Sequence, residues 1–287
     1  MQPFVSVIVP AYNEARYIEE QLEALRAQKY DGLWEIIVVN NRSTDNTVAI
    51  VEKYKNRMPN LHLIDAAEKQ GRSYARNVGA RYAKGDALLF CDAHEVAAPG
   101  WLSIMADALS EHDFVAGGLE VQKLNQSWAW HQPVLIGSKH KAMGFLPFAG
   151  SGNIGVLREA FEAVGGFCEE IVIGEDVDLS FRLQLKGYPI HDALNAVMHV
   201  RYRETLSGMW KQTIKFAEAH VYLYKKYAAH GYPRRGVKEA WPLYKWLIRY
   251  ATRLFVGPQQ ERQKWIRTCA ACWGRIRGSL KYRTLYL

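Results

Sequence analysis

The chain has 287 residues, 49% of them hydrophobic, enough to bury one large domain or two modest ones, which excludes a disordered or fibrous protein. Its formal charge of +8 is unevenly spread: from Arg201 onward 19 Lys/Arg face 4 Asp/Glu, a net +15, and the rest carries −7. Four scattered cysteines exclude a disulfide framework, and the opening residues lack the basic, apolar and small-residue regions of a signal peptide, so a cytoplasmic setting is expected.

Phe4 to Val9 is an apolar, β-branched run that reads as a strand, and Glu14 to Gln28 then places Ile18, Leu22 and Leu25 at helical spacing. Trp34 to Val39 reads as a second strand, with Ser43, Thr44 and Asp45 as caps ahead of a helix through Val48 to Tyr54. Leu61 to Ile64 suggests a third strand, Ser73 to Ala83 a helix, and Ala87 to Cys91 a fourth strand. This alternation predicts an α/β fold: a mostly parallel, Rossmann-like nucleotide-binding sheet with helices on both faces. Ligands of such sheets bind beyond the carboxyl ends of the strands, where Tyr12-Asn13-Glu14, Asn40 to Asp45 and Asp92 to Glu95 each supply a polar cluster.

From about Leu206 the texture changes to amphipathic helices rich in Trp, Tyr, Lys and Arg, which divides the chain into a domain over 1–205 and a basic, α-helical extension over 206–287. No stretch reaches the ~20 apolar residues that span a bilayer. Trp241 to Val256 comes closest and is interrupted by Lys245, Arg249 and Arg253. The Cys269/Cys272 pair lacks the further ligands of a zinc site and reads as two thiols on one helix.

Several segments carry chemistry. They are Val9-Pro10-Ala11-Tyr12-Asn13-Glu14, Asn40-Asn41-Arg42-Ser43-Thr44-Asp45, Gln70-Gly71-Arg72 with Ala75 to Gly79, and Phe90-Cys91-Asp92-Ala93-His94 followed by Pro99-Gly100-Trp101-Leu102. Further on come Phe148-Ala149-Gly150-Ser151-Gly152-Asn153 and Gly174-Glu175-Asp176-Val177-Asp178-Leu179. Over about Val5 to Tyr202 these segments resemble family 2 glycosyltransferases, inverting enzymes with the A-type nucleotide-sugar fold.

The resemblance implies that 1–205 is the catalytic domain and that Tyr12, flanked by Pro10 and Glu14, stacks on the base of a nucleotide-sugar donor. Asn40 and Asn41 stand where the family has Asp. An Asn41 carbonyl can still accept a uracil imide proton, though without a charge, so uridine leads while other bases are less excluded than usual. Arg72 or Arg76 would meet the diphosphate. Asp92 and His94 alternate along an extended segment and would hold a divalent cation with His199 as third ligand. Imidazole in place of one carboxylate favours Mn²⁺ over Mg²⁺. Gly150, Ser151 and Gly152 would let backbone approach the donor, and Asp176, with Glu175 beside it, would be the base that deprotonates the acceptor hydroxyl.

The acceptor expected is a lipid-linked or soluble glycan, extended by single additions, since the Gln-x-x-Arg-Trp motif of processive synthases is missing. The basic, Trp-rich tail suits peripheral contact with an anionic membrane on its inner face; packing on the protein, or a homodimer through the C-terminal helices, would use the same aromatic residues. No nucleic-acid recognition motif is present. A nucleotidyltransferase would place a Gly-rich, basic loop after the first strand, which Pro10-Ala11-Tyr12-Asn13 is not. A non-catalytic sugar-nucleotide-binding protein would have no need to retain Asp92, His94, Glu175, Asp176 and His199 together.

Overall fold

A computed structural model describes residues 2–126, 137–141, 144–202, 206–256 and 258–287. The chain divides into two compact units, Met1–Ala142 with Leu146–Arg201, and Met143–Phe145 with Tyr202–Leu287.

The first unit is built on an eight-stranded sheet. Its elements are β1 (Val5–Ala11), α1 (Ile18–Arg26), β2 (Trp34–Asn40), α2 (Thr47–Lys55), β3 (Leu61–Asp65), α3 (Arg72–Tyr82), β4 (Ala87–Cys91), β5 (Val96–Ala97), α4 (Trp101–Leu109) and β6 (Phe114–Glu120). A two-stranded ribbon of β7 (Gly137–Lys141) and β8 (Pro147–Phe148) follows, then β9 (Asn153–Leu157), α5 (Arg158–Ala163), α6 (Glu175–Leu185) and β10 (Ile190–His199). The sheet order is β3-β2-β1-β4-β9-β6-β10-β5. β1, β2, β3 and β4 run parallel, as does the β6/β10 pair. β9 enters antiparallel between β4 and β6, and β5 pairs antiparallel with β10. This is the α/β fold expected, with an antiparallel insertion that has a positional consequence: Asn153 pairs with Cys91, so the loop before β9 is delivered beside the carboxyl end of β4.

Alternation along the strands sends side chains to two cores. Val5, Val7 and Val9 face a core with Ile18, Leu22, Leu25, Trp101 and Met105, while Ile8, Ile37 and Val39 face one with Ala75, Val78, Phe161, Leu179 and Leu183. Helix α3 lies so close on the second face that a Cβ at Gly79 would meet Ile8 Cγ2 at 2.5 Å and Val39 Cγ2 at 2.9 Å. Gly79→Ala is therefore expected to cost about 1–3 kcal/mol of stability by overpacking, measurable as a lower urea midpoint at unchanged slope. Helix α1 begins four residues later than its apolar period suggests, because the N–H groups of Asn13, Glu14 and Ala15 are taken by Ser43, Thr47 and Asp45 side chains.

The second unit is helical: α7 (Leu206–Tyr227), a 3₁₀ turn at Ala228–His230, α8 (Val237–Arg249), α9 (Arg253–Val256) and α10 (Gln259–Tyr282). α7 and α10 pack through glycine: a Cβ at Gly274 would meet the Ile214 carbonyl oxygen at 2.5 Å. Cys269 and Cys272 both lie on α10 as free thiols. Trp241 to Val256 is broken between α8 and α9, and no helix among the described residues is long and apolar enough to cross a membrane.

Candidate active site at the carboxyl edge of the sheet

The rim is laced together by short polar side chains. Asn13, at φ 55°, accepts the Thr44 N–H at 2.7 Å, and Asp45 accepts the Ala15 and Thr47 N–H groups at 3.0 Å each. Two loops following different strands are thereby held as one surface, with Tyr12 standing 48% exposed on it and Pro10 half-buried in β1. Asn41 has a different place from the one its motif suggests. It is 4% exposed, donates to the Ala66 and Lys69 carbonyls at 2.5 and 2.8 Å, and accepts the Gly71 N–H at 2.7 Å. Its amide stitches the 66–71 loop to β2. Its neighbour Asn40 bonds the exposed Asp65 at 2.7 Å, which puts a carboxylate on the rim that the sequence did not single out.

Beyond β4 the chain makes a tight turn, Asp92 to Glu95, braced from below by buried Gln21, which accepts the Ala97 N–H at 3.0 Å and donates to the Asp92 carbonyl at 3.4 Å. Asp92, His94 and Glu95 offer ligand atoms within 4.8 Å of one another, the group among the described residues that could hold a metal ion. Burial would raise the Asp92 carboxyl, but the Arg76 guanidinium, His94 and Arg72 outweigh it and hold Asp92 below its ordinary value. Burial likewise would lower His94, yet its bond to Glu14 and the charges of Asp92 and Glu14 lift it to about 9. A cation binding there would displace that proton.

Glu95, which the sequence places in the rim cluster but not among the cation ligands, joins them here. It is 5% exposed, its Oε2 has no hydrogen-bond partner, and burial followed by the charge of Asp92 pushes its pKa well up. A mixed set of two carboxylates and one imidazole, with an orphaned oxygen among them, fits a divalent cation. The signal in the sequence was its position directly after Asp92-Ala93-His94. Gly152 leaves room for it, since a Cβ there would lie 2.6 Å from Glu95 Oε2 and push that carboxyl aside.

Glu14, expected near the donor, accepts a hydrogen bond from His94 Nδ1 at 3.2 Å. A carboxylate behind a metal-binding imidazole fixes its tautomer. Glu14→Leu is expected to weaken Mn²⁺ binding about 10- to 100-fold in a calorimetric titration, and unchanged affinity would remove His94 from the cation site. His199 stands outside the Asp92 group: its Nδ1 bonds Glu120 Oε2 at 2.6 Å, and it lies across the β5/β10 ladder from Val96.

On the other side of the turn, α6 opens with Glu175 and Asp176. Glu175 is 2% exposed, and Asp176 is half-buried, accepting the Val177 N–H at 2.8 Å. Burial raises both carboxyls, and the charge of Asp176 raises Glu175 further. A Cβ at Gly150 would lie 4.0 Å from Asp176 Oδ2, and buried Ser151 offers its backbone N–H to the same carboxyl. The two expected arginines separate. Arg72 is 52% exposed, 3.5 Å from Glu175, whereas Arg76 is 1% exposed and bridges Asp92 at 2.7 Å and Glu175 at 3.1 Å. Arg76 is thus an internal strut between the turn after β4 and the start of α6.

An open α/β sheet that gathers acids on its carboxyl edge is the class of fold that takes its ligands there. The chain belongs to glycosyl transferase family 2, whose signature matches residues 6–165. It is 30% identical over 200 residues to glycosyltransferase AglE of Haloferax volcanii, covering 67% of this chain and 66% of that one. It is 26% identical over 224 residues to a poly-beta-1,6-N-acetyl-D-glucosamine synthase of Staphylococcus aureus, covering 75% and 54%. The chain therefore spans about two thirds and about half of these relatives' lengths. Among solved structures it is similar to the mannosyltransferase PcManGT of Pyrobaculum calidifontis in complex with GDP-Man and Mn²⁺ (TM-score 0.69, 19% identity, 98% of this chain and 88% of that one). It is also similar to S. aureus TarS 1–349 in complex with UDP-GlcNAc (TM-score 0.59, 18% identity, 100% and 93%). Both likenesses concern the fold.

Proposed function

We propose that this chain transfers a sugar from a nucleoside diphosphate sugar to an acceptor hydroxyl, with inversion at the anomeric carbon and assistance from a divalent cation. The observation that carries this reading is the Asp92–Arg76–Glu175 bridge, which ties a cation-competent turn to the half-buried carboxyl of Asp176. Asp176 takes the hydroxyl proton as the acceptor oxygen bonds to the anomeric carbon, and the bond from that carbon to the diphosphate breaks on the opposite face. A carboxyl raised by burial is a stronger base than an ordinary one. Asp92, His94 and Glu95 would hold the cation, which when bound neutralises charge on the departing diphosphate. Exposed Arg72, 3.5 Å from Glu175, would turn toward that diphosphate, and Tyr12 offers a flat face to the base.

Uridine remains the leading base. Because the Asn41 amide is spent on the 66–71 loop, Asp65 is the carboxylate left on the rim to accept a base N–H. The acceptor that best suits the basic helical unit is a lipid-linked glycan at the inner face of a membrane, extended once per encounter.

The test is transfer from a panel of nucleotide sugars, with the anomeric configuration of the product read by NMR. Chelation is expected to abolish transfer and Mn²⁺ to restore it best, with His94→Ala losing metal-supported donor binding. Full activity in excess EDTA, or retention of configuration, would overturn the assignment.

A further inference from the structure

In the helical unit the last residues clasp back onto the helices. Arg283 turns the chain at φ 51°, and Ser279 Oγ brackets Tyr286, donating to its carbonyl at 2.9 Å and accepting its N–H at 3.1 Å. The Leu287 N–H then donates to the Arg235 carbonyl at 3.1 Å. Tyr286 is fully buried, with its ring 4.9 Å from Tyr224 and 6.1 Å from Tyr232.

This clasp gathers positive groups that no acidic side chain among the described residues is seen to pair with. Arg235 precedes α8 and Arg275 lies on α10; Nε of the first, and Nε and Nη1 of the second, are buried without a hydrogen-bond partner. Burial and the neighbouring Arg235 hold the Arg275 guanidinium below its ordinary value. Burial and both arginines push His220, on α7, down to about 4, so this imidazole stays neutral. Four acidic side chains occur from Arg201 onward, and Glu204 lies outside the described residues. Glu218 pairs with Arg277 at 3.0 Å, Glu239 accepts the Gly236 N–H at 2.8 Å, and Glu261 pairs with Arg253.

Holding two like charges within each other's influence with donors sealed from water is costly, and unsatisfied buried donors point to a group that completes them. We infer that Arg235 and Arg275, walled by Tyr224, Tyr232 and Tyr286, form a binding site for a phosphate-class dianion, a phosphate monoester or a diphosphate. Two guanidiniums beside a neutral imidazole are balanced by two negative charges, which a phosphate monoester supplies and a single carboxylate does not. The surrounding +15 draws such anions in. The phosphate can be carried by a lipid headgroup or by a soluble molecule, and the site stands whether or not the first unit transfers sugar.

The experiment is thermal melting of the full chain in EDTA, comparing inorganic phosphate with acetate at matched ionic strength. Millimolar phosphate is expected to raise Tm by about 2–4 °C over acetate. Arg235→Gln and Arg275→Gln should abolish that rise, while Lys55→Gln, on α2 of the other unit, should keep it. Without phosphate the two Gln variants should melt no lower than the parent, because each relieves the repulsion between two half-buried guanidiniums. Arg275→Lys keeps the charge and should bind more weakly, which gives a reading even if a Gln variant fails to fold. Sedimentation with phosphatidylcholine vesicles containing phosphatidic acid or, at equal charge, phosphatidylglycerol distinguishes the sources. A preference for the monoester lipid that depends on Arg235 and Arg275 identifies a headgroup, and a phosphate rise without it identifies a soluble ligand. A phosphate rise no greater than that of acetate, or one that survives both Gln changes, overturns the site.

Discussion

Asp176→Asn is expected to lower turnover by about 10²–10⁴ while donor binding stays within about twofold. The amide has the shape of the carboxyl and can still accept the Val177 N–H, so the start of α6 should keep its geometry. What it loses is the capacity to take a proton, and a sugar hydroxyl attacks poorly while it holds its own. Removing one of two adjacent carboxyls also relieves Glu175, whose pKa is raised by burial and by Asp176, so the variant should melt no lower than the parent. The measurements are initial rates with a working acceptor and calorimetric titration of donor in Mn²⁺. Normal turnover in the variant would end the assignment of Asp176 as base; a lost donor site with an unchanged rate at saturation would make it a binding residue.

Much of the first unit was legible because its signals are local. β1 to β4 are short apolar runs separated by amphipathic periods, and each polar cluster at the rim directly follows its strand. The antiparallel entry of β9 was not legible, since a strand's direction depends on partners far away in sequence, and Asn153 meets Cys91 across 62 residues. The same limit separated Arg72 from Arg76. They sit four apart on one face of α3, where spacing makes them equivalent, yet one is 52% exposed and the other 1% because only the deeper turn lies beneath Asp92. Asn41 was read from its motif as a base contact, and packing gave its amide three backbone partners instead. Glu95 was not legible as a cation ligand because a turn can send consecutive side chains inward, which neither helical nor strand periodicity anticipates.

Arg76→Met should be the most damaging single change in the first unit. The guanidinium holds two carboxylates from distant parts of the chain, Asp92 at 2.7 Å and Glu175 at 3.1 Å, in a place where it is 1% exposed. Methionine fills a similar length but takes the nearest cation from half-buried Asp92 and leaves buried Glu175 only Arg72 at 3.5 Å; removing one partner of a buried pair costs about 3–5 kcal/mol. Asp92 supplies the pH signature. Burial alone would raise its carboxyl, and Arg76 leads the groups that keep it below its ordinary value. A depressed carboxyl contributes stability that is present above its unfolded pKa and lost as the pH falls through the folded one. In Arg76→Met that carboxyl rises, so the variant loses its remaining stability and its Mn²⁺ affinity at a higher pH than the parent. The deficit in Mn²⁺ binding should therefore be larger at pH 6 than at pH 8. Arg76→Lys restores one charge without the two-armed geometry and should recover part of the stability. Urea melts without ligand separate this role from a diphosphate contact. If Arg76 served the donor alone, Arg76→Met would unfold within about 1 kcal/mol of the parent and lose only donor affinity, and that result would remove the strut.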